Sequence, residues 1–317
     1  MAPTQIAVIP NPILTKSHLH LKYTISPNAQ LSFEIRDSND RIKYMPYKDN
    51  GTVEGAANDP GSLAAVMQNY IPVVYGIASD SKQRRCICKL SPYYNPLAQQ
   101  NEVFLASGNG LAACGDGQET NLVYFVNDVG TKSDPRIALI ELQVTGDQAT
   151  PTVFDALPYK PDAGTYLTAF FHESPFVFYT DTSRREKGIY HFNPTAPRTV
   201  QLVLNTAGIS PQTPLAVATS PSKNEKNNAF RLLVAVYFMN DNGYLARATG
   251  RLDEGSITWS STTQSLQNIQ LDQTTSLAVV NNATAINTVY VYYIPDGRPA
   301  SDYRIVVDNP WLKDIAG

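Results

Sequence analysis

Six times along the chain a short apolar tetrad is followed by a strand-like run, a turn and a second strand-like run. The tetrads begin at Leu63 (Leu-Ala-Ala-Val), Leu111 (Leu-Ala-Ala-Cys), Leu167 (Leu-Thr-Ala-Phe), Leu215 (Leu-Ala-Val-Ala) and Leu277 (Leu-Ala-Val-Val), with a weaker copy at Leu19 (Leu-His-Leu-Lys). From Leu19 onward they are spaced 44, 48, 56, 48 and 62 residues apart. The second runs are Leu31–Ile35, Pro72–Tyr75, Leu122–Val126, Phe176–Tyr179, Leu233–Met239 and Val289–Ile294. Third runs follow at Arg41–Tyr47, Arg84–Leu90, Arg136–Val144, Gly188–Asn193, Tyr244–Thr249 and Tyr303–Asp308. A fourth is legible only at Thr199–Leu204 and Ser256–Ser261.

Self-similarity at this period means an array of small sheets. One twisted sheet of three or four strands cannot bury both faces, but a ring of them stacks face to face. The expectation is an all-β, six-bladed β-propeller of antiparallel three- to four-stranded blades with few or no helices, one domain over 1–317. The first strand of each blade lines the axis, where Ala64, Ala65, Ala112, Ala113, Ala169, Ala216 and Ala278 suit the crowding. The competing reading is a β-sandwich followed by a second β domain. Gln5–Ile9 is a further strand candidate that could complete the last blade beside Trp311-Leu312. Ala56–Asn58 and Asn95–Gln100 read as loops.

The fifth copy shows the local logic best. Leu232 to Met239 is apolar and rich in β-branched and aromatic residues, and Asn240-Asp241-Asn242-Gly243 then offers the positive φ that a tight hairpin turn needs. Composition agrees: 43% apolar, 17% charged, 18 tyrosines and 22 prolines favour strands and turns. A net charge of -3 without a basic run argues against nucleic acid as a partner. No apolar stretch of 18 residues is present, so no helical membrane span is expected. The N-terminal segment lacks a basic stretch before an apolar one and reads as the start of an unsecreted, cytoplasmic protein.

Three cysteines suit neither a disulfide framework nor a metal site, and Cys86 and Cys88 share one strand face. His18 and His20 also share a face, without a carboxylate cluster to make a metal centre. The sequons at Asn50 and Asn282 read as chance matches. Gly108-Asn-Gly110 leads into a strand rather than a helix, so it reads as a turn and not a dinucleotide loop. No nucleophile elbow, metalloprotease or P-loop motif occurs, and neither a metal nor a cofactor is implied.

The succession Leu-Ala-Ala-Val, Val-Tyr-Phe, Asn-Gly-x-Leu resembles the repeats of the fungal fucose-specific lectins, six-bladed propellers, from about Leu19 to Tyr303. In those lectins an arginine before the Val-Tyr-Phe strand and a glutamate twelve residues later hold the sugar hydroxyls. This chain has Ala235 and Arg247 at those positions in the fifth copy, and Ser32 and Tyr44 in the first. Val73, Leu122 and Phe176 stand at the arginine position of copies two to four, and only Glu141 in the third keeps a carboxylate near its place. A degenerate lectin repeat in an unsecreted chain of this length is also similar to the fungal hetero-Diels–Alderases. The resemblance implies an enzyme that couples a tropolone ortho-quinone methide to a humulene-type sesquiterpene alkene and forms a dihydropyran.

That likeness implies small-molecule partners, no cofactor, and pockets between blades. Arg247, His191 and Tyr44, at or near the glutamate position, are the candidate catalytic residues; Phe176, Tyr237, Glu141 and Tyr290 are candidates for substrate binding. A guanidinium or imidazolium there would hold a tropolone oxygen. The alternatives are a carbohydrate-binding lectin of altered specificity and a protein-interaction propeller. A homodimer is compatible with the Tyr-rich edges.

Overall fold

The second strand of the fifth blade, Phe230–Met239, is buried continuously from Leu232 to Phe238. A strand with both faces buried reads as an unbroken apolar run, and here each face packs on a different neighbouring blade. In the computed structural model, residues 6–311 are described except 12–19, 26–28, 38–41, 49–61, 100–101, 107–109, 120, 132, 135, 184–185, 196–197, 204–205, 207, 224–229, 274, 282–286 and 300–301. His18, the two sequons and Ala56–Asn58 lie outside the described residues.

The chain forms a six-bladed β-propeller of small, mainly antiparallel sheets, and no helix occurs among the described residues. Blade 1 is Ile6–Pro10, His20–Ile25, Leu31–Arg36 and Ile42–Lys48. Blade 2 is Leu63–Gln68, Ile71–Ser79, Arg85–Ser91 and Asn95–Pro96. Blade 3 comprises Leu111–Gly115, Asn121–Asp128, Ile137–Thr145 and Gln148–Phe154, and two short strands, Ala98–Gln99 and Glu102–Val103, extend its outer edge. Blade 4 is Thr168–His172, Ser174–Asp181, Gly188–Asn193 and Thr199–Leu202. Blade 5 is Leu215–Lys223, Phe230–Met239, Tyr244–Asp253 and Ser256–Gln270. Blade 6 has three described strands, Ala278–Asn281, Val289–Tyr293 and Arg304–Asp308.

Six hydrophobic clusters, one for each blade interface, make up the core. The ring closes by packing, since Ile6 and Val8 of blade 1 bury against Ala278, Val280 and Tyr292 of blade 6. The axis is lined by Ile6, Leu63, Leu111, Leu167, Leu215 and Leu277 and the small residues after them.

The first repeat sits one strand out of frame with the sequence expectation. The axial strand of blade 1 is Ile6–Pro10, paired with His20–Ile25, and it does not complete the last blade. His20-Leu21-Lys22 of the Leu19 copy therefore lies on a second strand, and Tyr44 lies on the fourth. Ile6-Ala7-Val8 is the true counterpart of Leu-Ala-Ala-Val: Ala7 faces Tyr23 as Ala64 faces Tyr75 and Ala216 faces Tyr237. The other five tetrads stand where they were expected. Asn95–Gln100 also carries short strands instead of only a loop. The Asn-Gly hairpin is realised: Gly243 has φ 79°, and the Asn240 side chain accepts hydrogen bonds from the backbone N–H of Asn242 and Tyr244.

Candidate binding cleft between blades 3 and 4

Strand register fixes one equivalent position on each of blades 2 to 6. The second-strand ring faces a third-strand residue across the ladder: Tyr75 with Lys89, Tyr124 with Glu141, Phe178 with His191, Tyr237 with Arg247 and Tyr292 with Ile305. Two residues before each ring, where the lectin arginine would stand, are Val73, Leu122, Phe176, Ala235 and Tyr290. The sugar-gripping arginine is thus absent from all five.

What this third-strand residue meets on the next blade decides whether the interface is open. Between blades 2 and 3, Lys89 Nζ lies 2.6 Å from Asp147 and 3.8 Å above the centre of the Tyr93 ring. Between blades 5 and 6, the buried Arg247 guanidinium pairs with Asp308 and donates to Gln264 at 2.6 Å. Tyr237 donates to the same Asp308 at 2.8 Å. The Arg247 charge is therefore neutralised inside the protein rather than presented to an open pocket.

His191, between blades 4 and 5, is 1% exposed and ringed by Phe176, Phe178 and Trp259, with centroids 5.8 to 6.3 Å away. Burial holds its pKa down to about 4; neither ring nitrogen has a partner in normal hydrogen-bond geometry, and the neighbouring Gln201 offsets the burial only in part. His191 is a neutral core residue at neutral pH. Tyr290 is buried between blades 6 and 1, its ring 4.7 Å from that of His20. The Tyr44 side chain lies outside the described residues. The candidates that the sequence singled out are thus spread around the ring, and the fold does not gather them into one site.

The interface of blades 3 and 4 differs. There the equivalent position holds Glu141, and a cleft of about 460 Å³ opens beside it. Leu122, Phe154, Phe171 and Pro175 supply apolar walls, while Asp116, Glu173 and Arg198 bring charge. The Tyr124 hydroxyl donates to Oε2 of Glu141 at 2.5 Å and so fixes the carboxylate. Burial, with Cys114 and Glu141 beside it, keeps the Tyr124 phenol far above its ordinary pKa, so it remains a donor. Arg198, immediately before the fourth strand of blade 4, is exposed and places its guanidinium carbon 5.2 Å from the centre of the Phe154 ring. A cleft of this size with a few convergent polar groups suits a small organic molecule.

Sequence reasoning reached Glu141 through its repeat position, but Leu122 only as a lost arginine. It missed Arg198, Phe154 and Phe171. Arg198 sits in a turn with no repeat register to mark it. Phe154 comes from an outer strand, the one that repeats least. The two strand cysteines are free and buried, their sulfurs 3.5 Å apart. Among the described residues no group of three or more metal ligands is found. Among them, too, no helix is long and apolar enough to cross a membrane.

No protein-family model matches this chain. It is 28% identical over 299 residues to the "Wall-associated proteinase" of Coccidioides immitis, a match that covers 92% of each chain. Among solved structures it resembles the fucose lectin of Aleuria aurantia, a six-bladed propeller, with a TM-score of 0.62 at 14% identity over 96% of this chain and 95% of the lectin. It is also similar to AofleA from Arthrobotrys oligospora, with a TM-score of 0.63 at 14% identity over 97% of this chain and 87% of that one. At such identity the likeness is one of fold, and the architecture is that of the fungal fucose-lectin propellers.

Proposed function

We propose that the protein is a cofactor-independent hetero-Diels–Alderase acting in the cleft between blades 3 and 4. The observation that carries this reading is the cleft itself: Leu122 and two phenylalanines replace sugar-gripping chemistry with apolar wall, and a tyrosine-anchored carboxylate remains. The degenerate lectin repeat supports it by resemblance. The substrates are a hydroxymethyl tropolone and a humulene-type alkene.

Formation of the quinone methide removes a hydroxyl from the exocyclic carbon and a proton from the ring hydroxyl, which leave together as water. Glu141 relays that proton. The quinone methide then adds across the alkene, forming one C–C and one C–O bond with no atom lost. Such a reaction needs orientation, exclusion of competing water and donors at the oxygen that gains charge, and held geometry alone can contribute about 7–11 kcal/mol. Apolar walls hold the alkene. A cytosolic location and a homodimer belong to the same proposal.

A second reading has its own support. The cleft brings three carboxylates and one guanidinium to an aromatic wall, and such acceptor-rich sites also bind sugar hydroxyls. A lectin of altered specificity is therefore the competing proposal. Peptide hydrolysis, which the name of the Coccidioides immitis relative suggests, has less behind it, because no nucleophile-elbow or metalloprotease motif occurs in the sequence.

The test is to mix purified protein with a quinone-methide precursor of the tropolone type and a hydroxylated humulene, then follow the product by chiral chromatography with mass detection. One enantiomer formed well above the protein-free control supports the enzyme. A racemate at the control rate refutes it for this substrate pair. Binding on a glycan array that is lost in Glu141→Ala would then favour the lectin.

A further inference from the structure

The lectin arginine is missing from blade 3, yet the cleft still contains a guanidinium, delivered from the other wall by blade 4. We propose that Arg198 and Glu141, on facing blades, form a split recognition pair for a planar ring with two adjacent oxygens, one a carbonyl and one a hydroxyl. This deepens the function proposed above and rests on its choice of cleft.

The pair is complementary in hydrogen-bond sense. A guanidinium only donates, so it suits the carbonyl oxygen; an ionised carboxylate only accepts, so it suits the adjacent hydroxyl. Glu141 is oriented for this by Tyr124, which donates to Oε2. Arg198 is steadied over the face of Phe154, where a guanidinium gains cation–π attraction. The half-buried Phe171 also offers a surface on which a flat ring packs.

Charge narrows the choice further. Asp116, Glu141 and Glu173 share the cleft with one arginine, so the site carries more negative than positive charge. A free anion is disfavoured there, and a neutral α-hydroxyketone ring is preferred. A sugar diol also presents adjacent oxygens, but it is not planar. In the cycloaddition the carbonyl oxygen gains negative charge, and a donor fixed on it would stabilise that change.

The experiment is isothermal titration with tropolone, in a mildly acidic buffer that keeps its hydroxyl protonated, and separately with L-fucose, using wild-type protein and the Arg198→Ala, Arg198→Lys and Glu141→Gln variants. Circular dichroism checks that each variant is folded, and the exposure of Arg198 makes its substitutions structurally mild. Tropolone is expected to bind wild type, with an affinity about tenfold lower in Arg198→Ala. Arg198→Lys should recover only part of it, because a point charge lacks the planar fork. Tropolone binding unchanged in Arg198→Ala overturns the proposal. So does binding of fucose alone, or of neither probe. Arg198-dependent tropolone binding without any cycloadduct in the product assay would leave this inference standing and remove the enzyme reading.

Discussion

Replacing Asp308 with alanine tests how the interface of blades 5 and 6 is held. Asp308 is 7% exposed and accepts three kinds of partner: the Arg247 guanidinium, the Tyr237 hydroxyl at 2.8 Å and the backbone N–H of Asn309 at 2.9 Å. Removing the carboxylate leaves a guanidinium that is 8% exposed, held by Gln264 among the described residues, and a buried phenol without the Asp308 acceptor. Breaking one side of a buried ion pair costs about 3–5 kcal/mol, mostly as the penalty of the stranded charge. At roughly 2 °C per kcal/mol for a chain of this size, Asp308→Ala should melt about 6–10 °C below wild type in a calorimetric scan. The double variant Arg247→Met/Asp308→Leu removes both charges and should recover most of that loss. An Asp308→Ala melting point within about 2 °C of wild type would refute the reasoning, as would a double variant no more stable than the single one.

Three further outcomes are expected. The folded-state pKa of His191 is about 4 while the unfolded chain titrates near 6.5, so stability is full above about pH 6.5 and falls as the pH drops toward 4. The loss approaches about 3 kcal/mol, and His191→Leu should flatten that part of a melting-temperature profile taken from pH 7.5 to 4.5. A Cβ at Gly110 would lie 2.2 Å from the Thr165 carbonyl oxygen, which is backbone and cannot step aside, so Gly110→Ala should cost about 1–3 kcal/mol in urea unfolding. Glu141→Gln keeps the size of the side chain but removes its charge, and should lower the rate of cycloadduct formation by about 10²-fold if Glu141 relays the proton; an unchanged rate would remove it from that role.

The repeat was legible because every blade solves the same packing problem. A strand near the axis needs small residues, and the next strand, buried on both faces, needs a continuous apolar run. These demands are local and write themselves at a fixed period. The register slip in blade 1 arose where the pattern thins: Ile6-Ala7-Val8 lacks the leading leucine, while Leu19 mimics it one strand later. Hydropathy alone cannot tell a first strand from a second when both are buried.

The identity of the candidate interface was of another kind. Tyr237 beside Arg247 and Tyr124 beside Glu141 look alike in sequence, since each is a ring opposite a charged residue. Only the tertiary structure brings Asp308 from blade 6 onto Arg247, Asp147 from blade 3 onto Lys89, and Trp259 from blade 5 onto His191. It also brings Arg198 to the wall opposite Glu141 without closing the gap. The sequence by itself determined the number of blades, the axial strands of five of them and the absence of the lectin arginine, because these depend on periodicity within a blade. Which interface remained a cleft was decided by side chains more than fifty residues apart, such as Glu141 and Arg198, and only the closed ring sets such residues face to face.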